Sequence, residues 1–270
     1  MDDLHLLHLH KALQISGAVL QNFTATQTEI DRFAFVGIDK VRKITLSLVN
    51  QYPLLQTLPD IEFSMGILLR SLMMDDLMVL GLINKAALYA QSGNDKDELK
   101  AIISDQCYIF LSDGTGHLIE QAINNEGFTP EQRIETAKRF ALTFFKAFNI
   151  PENNSQPPKL KNDYKLSLKG IYKEISESNL TRGEQVYDLY NFYSKYDHLS
   201  HWTGQATHIP YERRKHRIDF GIVIILMHLR DLIALTVDLG NNNNEVLMPL
   251  LTNLDEYLRS SYNTTPDVTD

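Results

Sequence analysis

One segment of the sequence carries hydroxyl, amide and imidazole side chains at helical spacing, a residue set suited to binding or acid–base chemistry. They recur at intervals of three and four, so a helix over about 182–201 would place them on one face, here called the polar stripe: Tyr187, Asn191, Ser194, His198 and His201. His198 could act as a general base, with Ser194 one turn earlier supplying a hydroxyl. The alternative is a structural histidine held by hydrogen bonds, because the sequence shows no third group that would orient it.

A second candidate is Arg70, which lies in a long apolar segment. The residues three and four positions away are glycine, isoleucine and two methionines, so no acid on the same helix can pair with it. A buried guanidinium needs a polar partner, because desolvation of an unpaired charge is strongly unfavourable. The sequence therefore predicts a structural ion pair with another helix. An arginine exposed at the edge of a core helix and a ligand or phosphate contact are the alternatives.

A third candidate is the basic cluster, which we define as residues 213–217 at the start of the most apolar helix. It includes Arg213 and Arg214, followed by a lysine, a histidine and a further arginine. Each cation at a helix N-terminus is disfavoured by about 0.3–1 kcal/mol, so we expect these residues to pair with acids or to bind an anion. An internal charge network, the phosphate of a nucleic acid or nucleotide, and a protein partner are the three interpretations.

The histidines do not form a recognisable metal-binding motif. They cluster near the N-terminus and again over 198–208, but neither cluster has the arrangement or the clearly placed carboxylate of a zinc site. The glycine-containing segment 113–116 lacks the lysine of a phosphate-binding loop. We therefore predict no metal and no cofactor.

The elements that must position these candidates are helices. Apolar residues recur at spacings of three and four along nearly the whole chain, and no alternating strand pattern is flanked by hairpin turns. The predicted fold class is all-α, a bundle of about nine helices. The predicted helices include 3–21, 26–50, 60–91, 96–112, 116–125, one that opens at Thr129, 182–201, 211–239 and 244–261.

The predicted organisation is a single all-α domain over residues 1–262. The long helices 60–91 and 211–239 are expected at its centre. Prolines and asparagines predict a long loop at 150–163, and the apolar-poor segment 263–270 is predicted to be a mobile tail.

Composition restricts where the protein acts. The formal net charge of −8 opposes long-range attraction to nucleic acid or to an anionic membrane, although a local basic patch could still bind one. A single cysteine, Cys107, excludes an intramolecular disulfide and fits a reducing compartment. The most apolar run, 220–229, is shorter than the roughly 20 residues of a membrane span. We predict a cytoplasmic protein with no membrane contact.

Two short motifs resemble a known bacterial family. Residues 69–72 read Leu-Arg-Ser-Leu, and residues 194–200 read Ser-Lys-Tyr-Asp-His-Leu-Ser. They are similar to motifs of the domain of unknown function 5677, over about residues 60–240. Where the family pattern tends to place a glutamate, this chain has Met74. The resemblance implies an α-helical fold and a shared polar cluster but no particular reaction, because the family has no assigned activity.

The expected cluster joins two helices: we infer that Arg70 meets the region of Ser194, Asp197 and His198. The predicted function is a helical binding or interaction module, in a bacterial stress or defence setting, whose partner is another protein or a second copy. Its predicted ligand-contacting residues are Arg70, Asn191, Ser194, Asp197, His198, Arg213 and Arg214. The alternative is an enzyme acting on nucleic acid or a phosphate ester, with His198 as general base and Arg70 and Arg214 binding phosphate.

Overall fold

The computed structural model describes residues 3–24, 27–58, 60–92, 95–152, 156–178, 181–194 and 210–263. This part of the chain contains nine α-helices: α1 (Leu4–Gln21), α2 (Glu29–Gln51), α3 (Ile61–Gln91), α4 (Lys96–Ile123), α5 (Pro130–Thr143), α6 (Leu168–Ser176), α7 (Thr181–Ser194), α8 (Tyr211–Leu239) and α9 (Asn244–Asn263). Two-residue strands β1 (Phe148–Asn149) and β2 (Lys159–Leu160) form an antiparallel pair. Short 3-10 helices cover Tyr52–Gln56 and Asn162–Tyr164. The predicted all-α class is confirmed.

The chain divides into two compact units. The first comprises residues 1–87 and 168–270, and the second comprises residues 88–167. The boundaries fall inside α3 and before α6, not at the predicted loop 150–163. The single domain over 1–262 stays a prediction, because this division does not decide whether either unit folds alone. The predicted tail 263–270 lies outside the described residues, apart from the last residue of α9.

Helices α3 and α8 of the first unit are joined at three levels, two helical turns apart. Glu62 pairs with Arg214, Leu69 lies against Gly221, and Asp76 lies beside His228. The residue numbers rise together along both helices, so α3 and α8 run parallel. A Cβ atom at Gly221 would lie 2.9 Å from Leu69 Cδ1, which shows how closely the helices approach.

Helix α8 is buried along most of its length. It is 29 residues long and passes a length-and-composition test for a membrane span, which the core helices of soluble proteins also pass. Within its most apolar window of 18 residues, 72% of the residues are buried inside the protein. The predicted buried core helix over the apolar run 220–229 is therefore confirmed.

Helix α2 is tied to the turn between α8 and α9 through one buried carboxylate. Asp31 is fully buried and accepts hydrogen bonds from Thr28 Oγ1 at 2.7 Å, Asn242 Nδ2 at 2.7 Å and the backbone N–H of Asn241. On α9, Leu247 and Leu254 are buried. The apolar face of that helix is thus at least partly covered by the protein itself.

The second unit is built on the α4–α5 hairpin. Its core contains Ile119 from α4 and Phe148 of β1. Between them in the chain, α5 contributes Ala137 and Ala141, and the residues just after α5 contribute Phe144 and Ala147. The predicted start of a helix at Thr129 is confirmed, because Thr129 and Gln132 form a reciprocal capping box at the start of α5.

The predicted break at 113–116 is wrong, because α4 is one continuous helix of 28 residues. Glycine in a helix interior costs about 1 kcal/mol relative to alanine, which tertiary packing can offset. Gly116 faces Leu160, and a Cβ there would lie 3.4 Å from Leu160 Cδ2. Thr115 is buried and donates to the Leu111 carbonyl, so its hydroxyl is satisfied within the helix.

Candidate functional site

Arg70 and Ser194 meet across α3 and α7 of the first unit. Arg70 Nε donates to Ser194 Oγ at 3.1 Å, and its guanidinium carbon lies 5.4 Å from the centre of the Tyr190 ring. Ser194 Oγ in turn donates to the Tyr190 carbonyl at 2.7 Å. The inferred contact between Arg70 and Ser194 is present, and it joins a cation to a neutral hydroxyl and an aromatic face. Asp197, His198 and the rest of 195–209 lie outside the described residues.

The described part of the polar stripe does not act as one surface. Tyr187 stacks on Tyr172 of α6, with ring centroids 3.8 Å apart and planes 7° from parallel. Asn191 is exposed. The opposite face of α7 is buried through Val186, Leu189 and Tyr193, as amphipathic spacing predicts.

The basic cluster is divided between inward and outward side chains. Arg213 is exposed, whereas Arg214 Nη1 pairs with the buried Glu62 Oε1. Lys215 Nζ donates to Asp219 Oδ2 at 2.8 Å. The guanidinium of Arg217 lies 3.8 Å from the centre of the Phe192 ring. Of the three interpretations, the internal charge network accounts for the positions of Arg214 and Lys215.

Sequence reasoning missed a second set of charges, here called the buried ion cluster: Asp76, Arg182, His228 and Asp231. Arg182 Nη2 donates to Asp76 Oδ1 at 3.1 Å and to Asp231 Oδ2 at 2.5 Å. His228 Nδ1 lies 3.1 Å from the same Asp76 oxygen. Arg230 extends the cluster to the surface by donating to Asp231 and to Asp255.

The Asp76–His228 pair of the buried ion cluster is closed to solvent, whereas the Arg182 side chain is 20% exposed. Asp76 is 0% exposed and His228 is 1% exposed. Burial acts to lower the pKa of Arg182, but the carboxylates of Asp76 and Asp231 outweigh it, and the net direction is upward. The guanidinium therefore stays charged and pairs with both acids. A histidine beside a carboxylate can transfer protons, but a substrate would have no surface from which to reach this pair.

One signal could have found this cluster. Asp76 and His228 each interrupt an apolar helix, and an isolated polar residue in such a helix must find a partner on another helix. This is the reasoning that selected Arg70. The sequence does not show that Asp76, His228 and Arg182 bind each other, because they lie on three separate helices.

A second polar network involves the N-terminal helix. Tyr52 Oη donates to Asp219 Oδ1 at 2.7 Å, and Lys215 Nζ lies 3.0 Å from Tyr52 Oη. Burial, with the hydrogen bond to Asp219, raises the pKa of Tyr52 far above its usual value. His8 is buried, with Nδ1 2.8 Å from Tyr257 Oη, and burial with the nearby charge of His5 lowers its pKa to about 4. These groups serve packing between helices.

No group of three or more histidine, cysteine or acidic side chains suited to a metal ion occurs among the residues that the structure describes.

The second unit contains an open groove of about 780 Å³. Its walls are α4 on one side and the segment from Pro157 to Leu166 on the other. The apolar part is formed by Ile119, Ile123, Phe148 and Leu160, and the charged part by Asp113, Glu120, Lys159, Lys161 and Lys165. This volume lies within the range of about 300–1,000 Å³ that is usual for small-molecule sites. Sequence analysis missed the groove, because its two walls meet only in the folded unit.

None of the protein-family models, curated proteins or solved structures compared with this sequence matches it. The resemblance to the domain of unknown function 5677 stays a prediction.

Proposed function

We propose that this protein is a non-catalytic helical binding module that acts in the cytoplasm. In this proposal the charged side chains inside the first unit hold its helices in register. The open groove of the second unit receives a ligand.

A single observation carries the proposal: among the described residues of the first unit, the histidine–carboxylate pair of the buried ion cluster is closed off from solvent. Asp76 and His228 are almost completely buried, and both are within hydrogen-bond distance of a neighbour in the buried ion cluster. An active site requires such groups to reach one substrate atom from an open pocket. Mutual bonding inside a sealed core is instead typical of structural polar networks.

The alternative function, an enzyme, requires that Arg70 and Arg214 bind one phosphate while His198 acts as the general base. Arg214 is paired with Glu62, and Arg70 donates to Ser194. Phosphate binding would have to break a buried ion pair at Arg214. That requirement favours the binding module.

The proposal is tested by native mass spectrometry of the protein purified from its expression host. We expect a gentle spectrum with a component heavier than the 30.9 kDa chain, which denaturation removes. H198A and R70A should retain this added mass, because neither residue forms the groove. G116L, which places a bulky side chain in the groove wall, should lose it.

Two results would contradict the proposal. A spectrum that contains only the bare chain under gentle conditions argues against a binding module. Loss of the added mass in both R70A and H198A, with wild-type unfolding temperatures, moves the ligand to the Arg70 region and favours the enzyme.

A further inference from the structure

The groove of the second unit has an uneven charge distribution. Its acids, Asp113 and Glu120, lie on α4, whereas its cations, Lys159, Lys161 and Lys165, lie on β2 and the segment that follows it. One wall is thus acidic and the other basic. A ligand with one charged end would enter in a single orientation.

One of the two acids of the groove, Asp113, already has a hydrogen-bond donor. Asp113 Oδ1 accepts a hydrogen bond from the Leu166 backbone N–H at 3.1 Å. His117 lies between the acids, with Nδ1 3.6 Å from Glu120 Oε2 and Nε2 3.9 Å from Asp113 Oδ2. The hydrogen bond from Leu166 occupies one carboxylate oxygen of Asp113 on the acidic wall.

The lysines differ from the acids in this respect. Lys161 Nζ donates to the Lys146 carbonyl at 2.6 Å. Within the part of the chain that the structure describes, Lys159 and Lys165 have no side-chain hydrogen bond or ion pair, and both are exposed at the groove. Two ammonium groups therefore remain to meet a negative charge from outside.

The groove also offers an apolar surface next to these cations. Phe148 and Leu160 belong to or pack against the core of the second unit, and Pro157 and Pro158 add rigid apolar walls. Proline and core-anchored side chains lose little conformational entropy when a ligand binds, so such a surface is preorganised. An apolar body could lie on it while a charged end reaches the lysines.

We propose that the groove binds a small amphipathic organic anion, with an apolar body on the Phe148–Leu160 surface and a carboxylate or phosphate at Lys159 and Lys165. This inference rests on the proposed binding function and names its ligand class. The anionic end supplies a negative charge to pair with the two lysines. The apolar body displaces water from the prolines and the aromatic ring. The opposite wall repels a second anionic end, which favours ligands charged at one end only.

The test uses two probe pairs that differ only in charge: 1-naphthoate with 1-naphthamide, and octanoate with octanamide. Binding to the full chain is measured by calorimetric titration or ligand-observed NMR at low and high salt. We expect each anion to bind at least about tenfold more tightly than its neutral amide, because only the anion pairs with the lysines. The preference should shrink at about 0.5 M salt, where charges are screened.

Variants assign the binding to the groove. The double variant K159Q/K165Q should weaken anion binding by at least about fivefold and leave amide binding unchanged. The matched control K96Q removes the same charge from an exposed lysine on the first turn of α4, outside the groove, and should bind like the wild type. G116L should weaken both anion and amide binding, while G116A, whose Cβ makes only an ordinary contact with Leu160, should not.

Each result decides the inference. Failure of both anions to bind, equal affinity for anions and amides, or the same affinity in K159Q/K165Q and K96Q would overturn it. Unfolding temperatures for each variant show whether a loss of binding reflects a loss of folding. If native mass spectrometry finds a retained mass but the anions fail to bind, the binding module stands and the ligand class is wrong. If both experiments are negative, both proposals fail.

Discussion

The two units use charged side chains in opposite ways. In the first unit, an arginine, a histidine and two aspartates are taken out of water and bonded to each other. In the second unit, two lysines stand exposed beside an apolar surface without a partner among the described residues. Residue type alone therefore does not indicate a site. A charge whose partners are already present holds the structure, whereas a charge without one is available to a ligand.

Burial explains why each member of the buried ion cluster needs its charged neighbours. Removing charges from water is costly, and the attraction between them offsets this only when geometry and charge balance are good. Arg182 stands between Asp76 and Asp231, and Arg230 adds a second cation at Asp231. Loss of one member leaves the others buried without compensation. The groove carries no such penalty, because its lysines stay in water.

The largest expected effect follows from breaking the buried ion cluster. D76A should lower the free energy of unfolding by about 3–5 kcal/mol, because it leaves Arg182 and His228 buried with one partner fewer. The measurement is urea unfolding followed by circular dichroism. D39N, which removes a carboxylate from the surface pair with Lys43, is the control and should cost at most about 1 kcal/mol. Equal effects of the two variants would contradict a structural role for the cluster.

The second effect is the pH dependence of the free energy of unfolding that His8 of the first unit contributes. Burial lowers the pKa of His8 to about 4, against about 6.5 in the unfolded chain. Between these values the unfolded chain binds a proton that the folded protein does not, so stability falls as the pH falls from about 6.5 to 4, by about 3 kcal/mol through this residue.

H8Q should remove this part of the pH dependence, whereas H10Q, at an exposed position on the same helix, should retain it. Unfolding is measured at several pH values for all three proteins. Identical slopes for H8Q and the wild type would show that His8 is not the titrating group.

A third effect compares a glycine from each unit. G221A should lower the free energy of unfolding by about 1 kcal/mol, because the new methyl would lie 2.9 Å from Leu69 Cδ1 and overpacking outweighs the gain in helix propensity. G114A should raise it by about 0.5–1 kcal/mol, because a Cβ at Gly114 meets nothing within 4 Å. Denaturant titration checks both, and the same sign for the two variants would contradict the close approach of α3 and α8.

The smallest expected effect is at the groove. K159Q/K165Q should change the free energy of unfolding by no more than about 0.5 kcal/mol, because exposed side chains without partners contribute little to stability. Thermal unfolding beside K96Q provides the comparison. A loss of stability approaching that of D76A would show that these lysines serve the structure, and the distinction between the two units would fail.

Several elements could be predicted from the sequence alone. Helix α8 has the predicted bounds, because Pro210 and Gly240 flank the long helical segment and mark its two ends. The start of α5 follows from the local chemistry of Thr129, which caps the first turn. Arg70 was expected to need a partner on another helix, and it has one in Ser194. Each of these depends on neighbours close in the chain or on the burial of one residue.

Other features could not be predicted, because they depend on residues far apart in the chain. The glycines near 114 suggested a break, yet packing keeps α4 continuous. The sequence makes Arg214 a phosphate candidate, whereas in the folded protein Arg214 pairs with Glu62, 152 residues away in the chain. The order of polar residues does not reveal which of them will pair.

The helical class, the ends of the best-defined helices and the requirement that isolated polar residues find partners all follow from the amino-acid sequence alone. These depend on local spacing and on the cost of burying polar groups, which act within one helix. Only the tertiary structure shows that Asp76, Arg182 and His228 pair with each other. It also shows that α4 and the segment from Pro157 to Leu166 form the two walls of a groove. The physical reason is that packing selects one pairing from many that the same helices would allow, and only that selection shows which charges remain exposed.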